Sequence, residues 1–403
     1  MVSVPGWVTK CETCGNKHPY YEGDCPLIEV VKRQKNTEKL PESMFGESPS
    51  VFVGRHNYPQ VNVGPTAAQE EETAVKAQDP KEWFGMPYEK VIGIQTALIR
   101  SKSRQNVRSD SRFSRENQLL SMAKRPTDVE LDFKKRPKFQ YNFDNIRNPV
   151  VSSGPLDQME IAENVKIKHS VEKIVNDELK ARRQAEKLYS KDMDVYQIIN
   201  ILSSGALGKK DRKKMVPTRW SVTASQSMVA KSIIEDLKDR PVINDYRVYS
   251  SEYLDNHFEI LLIPGKWEFE NFESWAPEEE WAQQMQKATV LQEHEPYDGR
   301  TSYAEAQGGG YYAARLGTVE GLKNLKKQAR AVVFREVYEG YIVPVGSWQI
   351  LENVRNAFRQ DCRKFETREK ALEHIDSNLR VPIENYIGRS EILKQKRLSD
   401  FIG

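Results

Sequence analysis

Three β-rich runs in close succession, Tyr246 to Ser250, Phe258 to Gly265 and Trp267 to Phe272, constrain the fold more than any other feature of this chain. The connections between them are too short for a crossover helix, so the runs are expected to pair as antiparallel strands. Phe258-Glu259-Ile260-Leu261-Leu262-Ile263 is almost continuously apolar and stops at Pro264-Gly265, and Ala331 to Val337 reads as a second buried strand, carrying Arg335 and Glu336. Helical periodicity surrounds these strands. Val171, Ile174, Val175, Leu179, Ala185 and Leu188 recur at three- and four-residue intervals across residues 170–203. Further helices are expected over 225–238 with Ser225 as cap, 277–287, from the Gly308-Gly309-Gly310 run to about Lys327, 345–360 and 367–379. In 345–360, Trp348, Leu351 and Val354 point inward and Arg355 outward. The class is α+β: a mixed, largely antiparallel sheet with several amphipathic helices.

At 403 residues the chain exceeds what one core normally encloses, so a body over residues 46–388 has room for two subdomains. It is flanked by a Cys-rich module and connector over residues 1–45 and a flexible tail over residues 389–403. The near balance of 61 basic and 58 acidic residues names no partner by itself. There is no apolar run of membrane length and no secretory leader pattern, so a cytoplasmic, nucleoid-associated protein with no membrane partner is expected.

Three of the four cysteines fall between residues 11 and 25, which suits a metal site in a reducing compartment better than a disulfide framework. Cys11 and Cys14 have the two-residue spacing that lets both thiolates converge on one zinc ion, and His18 and Cys25 complete four donors for a closed, structural site. No second Cys pair follows, so the fourth ligand stays open between His18, His56 and Cys362.

Charge is unevenly spread. Between Arg100 and Lys138 there are twelve basic residues and five acidic ones, with Ser and Asn interleaved, as expected of a mobile segment that contacts phosphates. A second basic loop runs from Lys209 to Lys214. Upstream, two short β runs over Val51 to Pro65 flank Arg55, His56 and Asn57 at a hairpin tip, where functional side chains are commonly presented.

The C-terminal residues place Gln395, Leu398, Phe401 and Ile402 at offsets 0, 3, 6 and 7. In a single helical turn Leu398 and Phe401 project together with Ile402 beside them, and the Gln395 amide can both donate and accept. This pattern resembles the PCNA-interacting peptide, the PIP motif that hooks proteins onto the sliding clamp. The Cys module, the segment Ser50 to Pro65, Val216 to Ala224, Gly308 to Leu316, Val343 to Arg355 and this terminal peptide together resemble the archaeal Nre family of DNA repair proteins. The resemblance implies a clamp-associated role in DNA damage repair. It places clamp binding on Gln395, Leu398, Phe401 and Ile402 and zinc binding on the Cys cluster, and it supplies no catalytic mechanism.

Two function classes follow. One is a repair factor with a zinc module, a DNA-contacting body and a clamp tether. The other is a clamp-recruited enzyme hydrolysing a phosphoester or nucleotidyl adduct on nucleotides or DNA ends. In the second, Arg219, Arg315 and Arg355 would hold phosphate oxygens while His56 or Glu336 transfers protons. Convergence of Arg219, Arg315, Glu336 and Arg355 on one pocket separates the two.

Overall fold

The computed structural model describes residues 40–68, 70–138, 152–275, 290–338, 340–341 and 344–394, together with the backbone of Thr9–Lys10 and Lys17–His18. Cys11, Cys14 and Cys25, the helix expected over 277–287, and the clamp-motif residues Gln395, Leu398, Phe401 and Ile402 lie outside the described residues. The chain forms two compact units, Met1–Val229 with Val343–Val345, and Ala230–Ile342 with Gly346–Gly403. No helix among the described residues is long and apolar enough to cross a membrane.

In the first unit, β1 (Thr9–Lys10) and β2 (Lys17–His18) make a two-residue antiparallel ladder. The main architecture is a closed five-stranded barrel. Its elements in chain order are β3 (Ser43–Val53), β4 (Gln60–Ala68), α1 (Glu71–Gln78), α2 (Tyr88–Ala97), β5 (Ile99–Asn106), α3 (Arg112–Met122), β6 (Thr127–Phe133) and β7 (Ser152–Ile161). The strands close in the order β3-β4-β5-β7-β6, all neighbours antiparallel except the parallel pair β5 and β7. β3 is long enough to serve two partners: Ser43–Ser48 pairs with β6, and beyond a register shift Ser50–Val53 pairs with β4. The strand can bend there because residue 46 is glycine; a Cβ at Gly46 would lie 2.3 Å from the Ala68 carbonyl oxygen. Numbered along the barrel alone, the order is 1-2-3-5-4 with a helix between strands three and four, the topology of an OB-fold.

Period-two alternation fills the barrel. Val51, Val53, Val61, Val63, Val129, Leu131 and Phe133 point inward and meet Leu120 of α3, Val107 and Met215. β5 departs from the pattern, with Ile99 its one residue in this apolar cluster and a buried Ser101 behind it. Hence the basic stretch expected as a mobile segment is instead strand β5, helix α3 and strand β6.

The helical stretch over 170–203 is divided into α4 (His169–Asn176), α5 (Ala181–Tyr189) and α6 (Val195–Ser203). The last break is local chemistry: Asp192 takes a left-handed φ of 59°, and the Asp194 carboxylate caps the Tyr196 N–H at 3.0 Å. α7 (Thr218–Leu237) starts before the expected cap Ser225, because the Pro217 carbonyl already accepts from Trp220 and Ser221 N–H.

The second unit comprises β8 (Tyr246–Glu252), β9 (Asn256–Ile263), β10 (Glu268–Trp275), β11 (Val290–Glu295), α8 (Gly309–Leu325), β12 (Arg330–Val337), α9 (Trp348–Ala357), β13 (Arg363–Phe365), α10 (Arg368–Asp376) and α11 (Ile383–Ile387). Its six strands run in the order β11-β10-β12-β9-β8-β13. β8 and β9 pair antiparallel as expected, but β12 inserts between β9 and β10 and runs parallel to β10. On one face Val332, Phe334 and Phe272 pack with Ala371, Ile375 and Tyr386 of α10 and α11. On the other, α8 approaches Glu273 and Arg335 through Gly310, where a Cβ would stand 3.3 Å from the Glu273 carboxylate. α8 and α9 touch closely: a Cβ at Gly321 would fall 2.3 Å from the Phe358 ring.

Residues 389–394, expected as the start of a flexible tail, are packed. Ser390, Ile392 and Leu393 are buried, and the Glu270 carboxylate accepts from the Ser390 hydroxyl, from Glu391 N–H at 2.7 Å and from Ile392 N–H at 3.3 Å. Residues 389–394 are therefore packed on the second unit.

Candidate nucleic-acid interface

The outer face of the barrel follows from its pairing register. With Val53 and Val63 inward, Phe52, Asn62 and Thr66 point outward, and β5 sets Arg100 opposite Thr66 and Arg104 opposite Asn62. Lys102 lies between them in the strand, two residues from each. The Arg100 guanidinium stacks over Phe52, 4.4 Å from the ring centroid. The Lys102 ammonium donates to the Ser153 hydroxyl at 2.7 Å.

Of the twelve basic residues between Arg100 and Lys138, Arg112, Arg115, Arg125, Lys134 and Arg136 each meet a carboxylate, in pairs whose cation is exposed and which are worth little. Arg100, Lys102, Arg104 and Arg108 have no carboxylate partner among the described residues. Burial pushes Arg100 down to about 10, and burial together with the neighbouring Arg100 lowers Lys102. Two adjacent, partly desolvated cations without a counter-charge among the described residues present the electrostatics of an anion site, since a phosphate laid across them would restore the solvation each has lost.

The row ends at the β3–β4 turn. Gly54 N–H donates to Asn62 O at 2.7 Å, Gln60 N–H to Asn57 O at 2.8 Å, and Asn57 takes the left-handed φ of 61° that this residue type tolerates. His56 and Tyr58 are exposed on this turn and Arg55 is half-buried. The segment Met215 to Ser221 is pinned beside it. Met215 plugs the barrel core while its N–H bonds Val107 O at 2.8 Å, and Thr218 Oγ1 accepts from Val53 N–H at 2.9 Å at the end of β3. Those anchors leave Arg219 and Trp220 exposed at the start of α7, with the Trp220 ring 5.4 Å from that of Tyr58 and tilted by 51°. The Lys214 ammonium stands 3.5 Å from the Tyr58 hydroxyl. Lys209 and Lys210 are exposed in the same loop, while Lys213 turns inward to Val175 O at 3.0 Å.

Arg219 and His56 belong to the first unit, and Arg315, Glu336 and Arg355 to the second, where each of the three is held by different partners. Arg315 is buried against Glu295, which also accepts from the Tyr311 hydroxyl at 3.2 Å. Arg355 holds Glu320 with a bidentate pair at 2.7 and 2.8 Å and Glu352 at 2.7 Å. Glu336 lies on the opposite sheet face from its neighbour Arg335, fully enclosed, and its two oxygens accept from four donors: Arg380 N–H at 2.8 Å, Val381 N–H at 2.9 Å, Tyr386 OH at 2.8 Å and Tyr338 OH at 3.1 Å. Burial first, and then the Glu336 charge, push both tyrosines upward. A carboxylate whose lone pairs are all occupied and closed to solvent holds structure rather than moving protons. Glu336→Gln turns one acceptor into a donor facing donors and is expected to lower the unfolding free energy by about 2–3 kcal/mol in chemical denaturation.

Of the alternatives for the fourth metal ligand, His18 is described only in its backbone. Cys362 sits beside Tyr249, whose hydroxyl is pushed up to about 12 by burial first and by Cys362 second. Among the described residues no group of three or more His, Cys, Asp or Glu could hold a metal ion.

A five-stranded barrel with a row of cations on its outer face, joined in one chain to a six-stranded α+β unit, defines a two-unit protein of barrel and mixed sheet. Comparison with known proteins supplies the family. Residues 21–282 match the model described as Archaeal Nre, N-terminal, and residues 295–401 match Archaeal Nre, C-terminal. The chain belongs to the archaeal Nre family. It is 34% identical to the DNA repair protein NreB of Archaeoglobus fulgidus, over 93% of this chain and 94% of that one. It is 31% identical to the DNA repair protein NreA of the same organism over the full length of both, and 33% identical to that of Haloferax volcanii over 85% and 84%. No solved structure matches the chain.

Proposed function

We propose that this chain is a DNA repair protein that holds DNA on the outer face of its barrel and is brought to its substrate by the sliding clamp PCNA. The observation that carries DNA contact is the row Arg100, Lys102 and Arg104, three outward cations on alternate residues of one strand without carboxylate partners among the described residues. Arg108, Lys214 and Arg219 extend the charge toward the turn. The name DNA repair protein carried by the relatives gives the setting. Clamp attachment rests on the spacing of Gln395, Leu398, Phe401 and Ile402, and the site of action is then the nucleoid in the cytoplasm.

The test is the salt dependence of DNA binding by the full chain. Six neutralised phosphates predict a log-log slope of about −4 to −5. A flat response would remove DNA from the account.

Zinc is the cofactor proposed for Cys11, Cys14, Cys25 and His18. Purified protein is expected to carry about one equivalent of zinc and to lose it when Cys11 and Cys14 are changed to Ser. Less than about half an equivalent in the unmutated chain would sink the idea.

A further inference from the structure

We infer that Tyr58 and Trp220 form a stacking platform for unpaired bases, so that the DNA held on the barrel is single-stranded. The inference rests on the DNA-binding reading and adds which form of DNA is held. Tyr58 is 40% exposed and Trp220 44%, and they lie side by side rather than scattered. Single exposed aromatics are ordinary, but a pair built from two distant segments and held in place on both sides is not. The turn between Gly54 and Gln60 fixes Tyr58. Met215 in the barrel core and Thr218 at the end of β3 fix Trp220. The rings are tilted by 51°, so neither covers the other and ring faces remain for a ligand.

Position makes the ligand specific. The platform stands at the end of the β4–β5 face, on the loop that joins the first two barrel strands, which is where an OB-type barrel receives oligonucleotides. The cations on β5 recur every second residue, about 7 Å apart along the strand. Phosphates can lie along that row while a base from the same strand reaches the rings. In a duplex the bases are stacked on one another and their faces are closed, so duplex DNA gains the charge contacts and not the stacking.

The experiment is fluorescence anisotropy of a labelled oligothymidylate and of a duplex of the same length, with the full chain at one fixed salt concentration. The single strand is expected to bind at least about tenfold tighter. Tyr58→Ala and Trp220→Ala are each expected to weaken single-strand binding roughly tenfold and to leave duplex binding within about twofold. Oligothymidylate is expected to quench tryptophan emission in the unmutated chain and to quench it less in Trp220→Phe, a variant that keeps a ring and therefore the packing and most of the affinity. Equal or tighter duplex binding, or aromatic substitutions that weaken both forms alike, would overturn the platform while leaving DNA binding in place. Failure of the unmutated chain to bind either form would overturn the underlying reading as well.

Discussion

Changing Leu398 and Phe401 together to Ala is expected to lower clamp affinity about a thousandfold in calorimetric titration of PCNA. Anchors of this kind, seated in an apolar pocket, are worth at least about 2 kcal/mol each, and three orders of magnitude correspond to roughly 4 kcal/mol. Stability should hardly move, because the substitutions leave Ile392 and Leu393 in place in the core of the second unit. A melting temperature unchanged within about 1 °C agrees with a peptide directed at a partner. Retained binding refutes the motif, and a large stability loss would show that the peptide packs on its own domain.

The second large effect concerns the barrel. Arg100→Gln, Lys102→Gln and Arg104→Gln combined are expected to weaken DNA binding a hundredfold or more at about 0.1 M salt and to flatten the log-log slope by about 2 to 3. The barrel should survive, since none of the three is ion-paired among the described residues, and neutralising Arg100 and Lys102 removes a like-charge contact that lowers Lys102. The control is Arg112→Gln with Arg125→Gln, two cations already matched by Glu116 and Glu163. That pair should change affinity far less. If both sets act alike, net charge rather than the β5 row governs binding.

Much of the second unit was legible from local pattern. β8, β9 and β12 fall where apolar β-rich runs stand, and α8 and α9 where the glycine run and the Trp348, Leu351 and Val354 spacing put them. The position of β12 between β9 and β10 was not legible, because parallel pairing with β10 is decided by a crossover that carries β11 and α8. In the first unit the hairpin and its tip were visible, and the barrel was not. β5 reads Arg100-Ser101-Lys102-Ser103-Arg104-Gln105, without apolar alternation, and becomes a strand only because β4 and β7 bracket it. The site was half visible for the same reason. Sequence shows the cations, but which of them are left without a carboxylate depends on where Glu116, Glu163, Asp157 and Glu42 arrive in space. Arg315, Arg355 and Glu336 had phosphate-site chemistry by type, and only their enclosure with Glu295, Glu320 and two tyrosines reveals their partners. Trp220 does carry a sequence signal: a large aromatic beside Arg219, three residues after Pro217, in a segment full of small polar residues.

The Glu270 carboxylate that receives Ser390, Glu391 and Ile392 holds the chain on the second unit just ahead of the proposed clamp peptide. From Leu393 to Gln395 the chain has two residues, at most about 7 Å of reach. A clamp gripping Gln395 would therefore hold the second unit on a short stem instead of a long leash. Such a coupling restricts the volume the bound protein can search and raises the local concentration of that unit at the clamp rim. Inserting a Gly-Ser spacer after Lys394 would lengthen the stem without touching either partner.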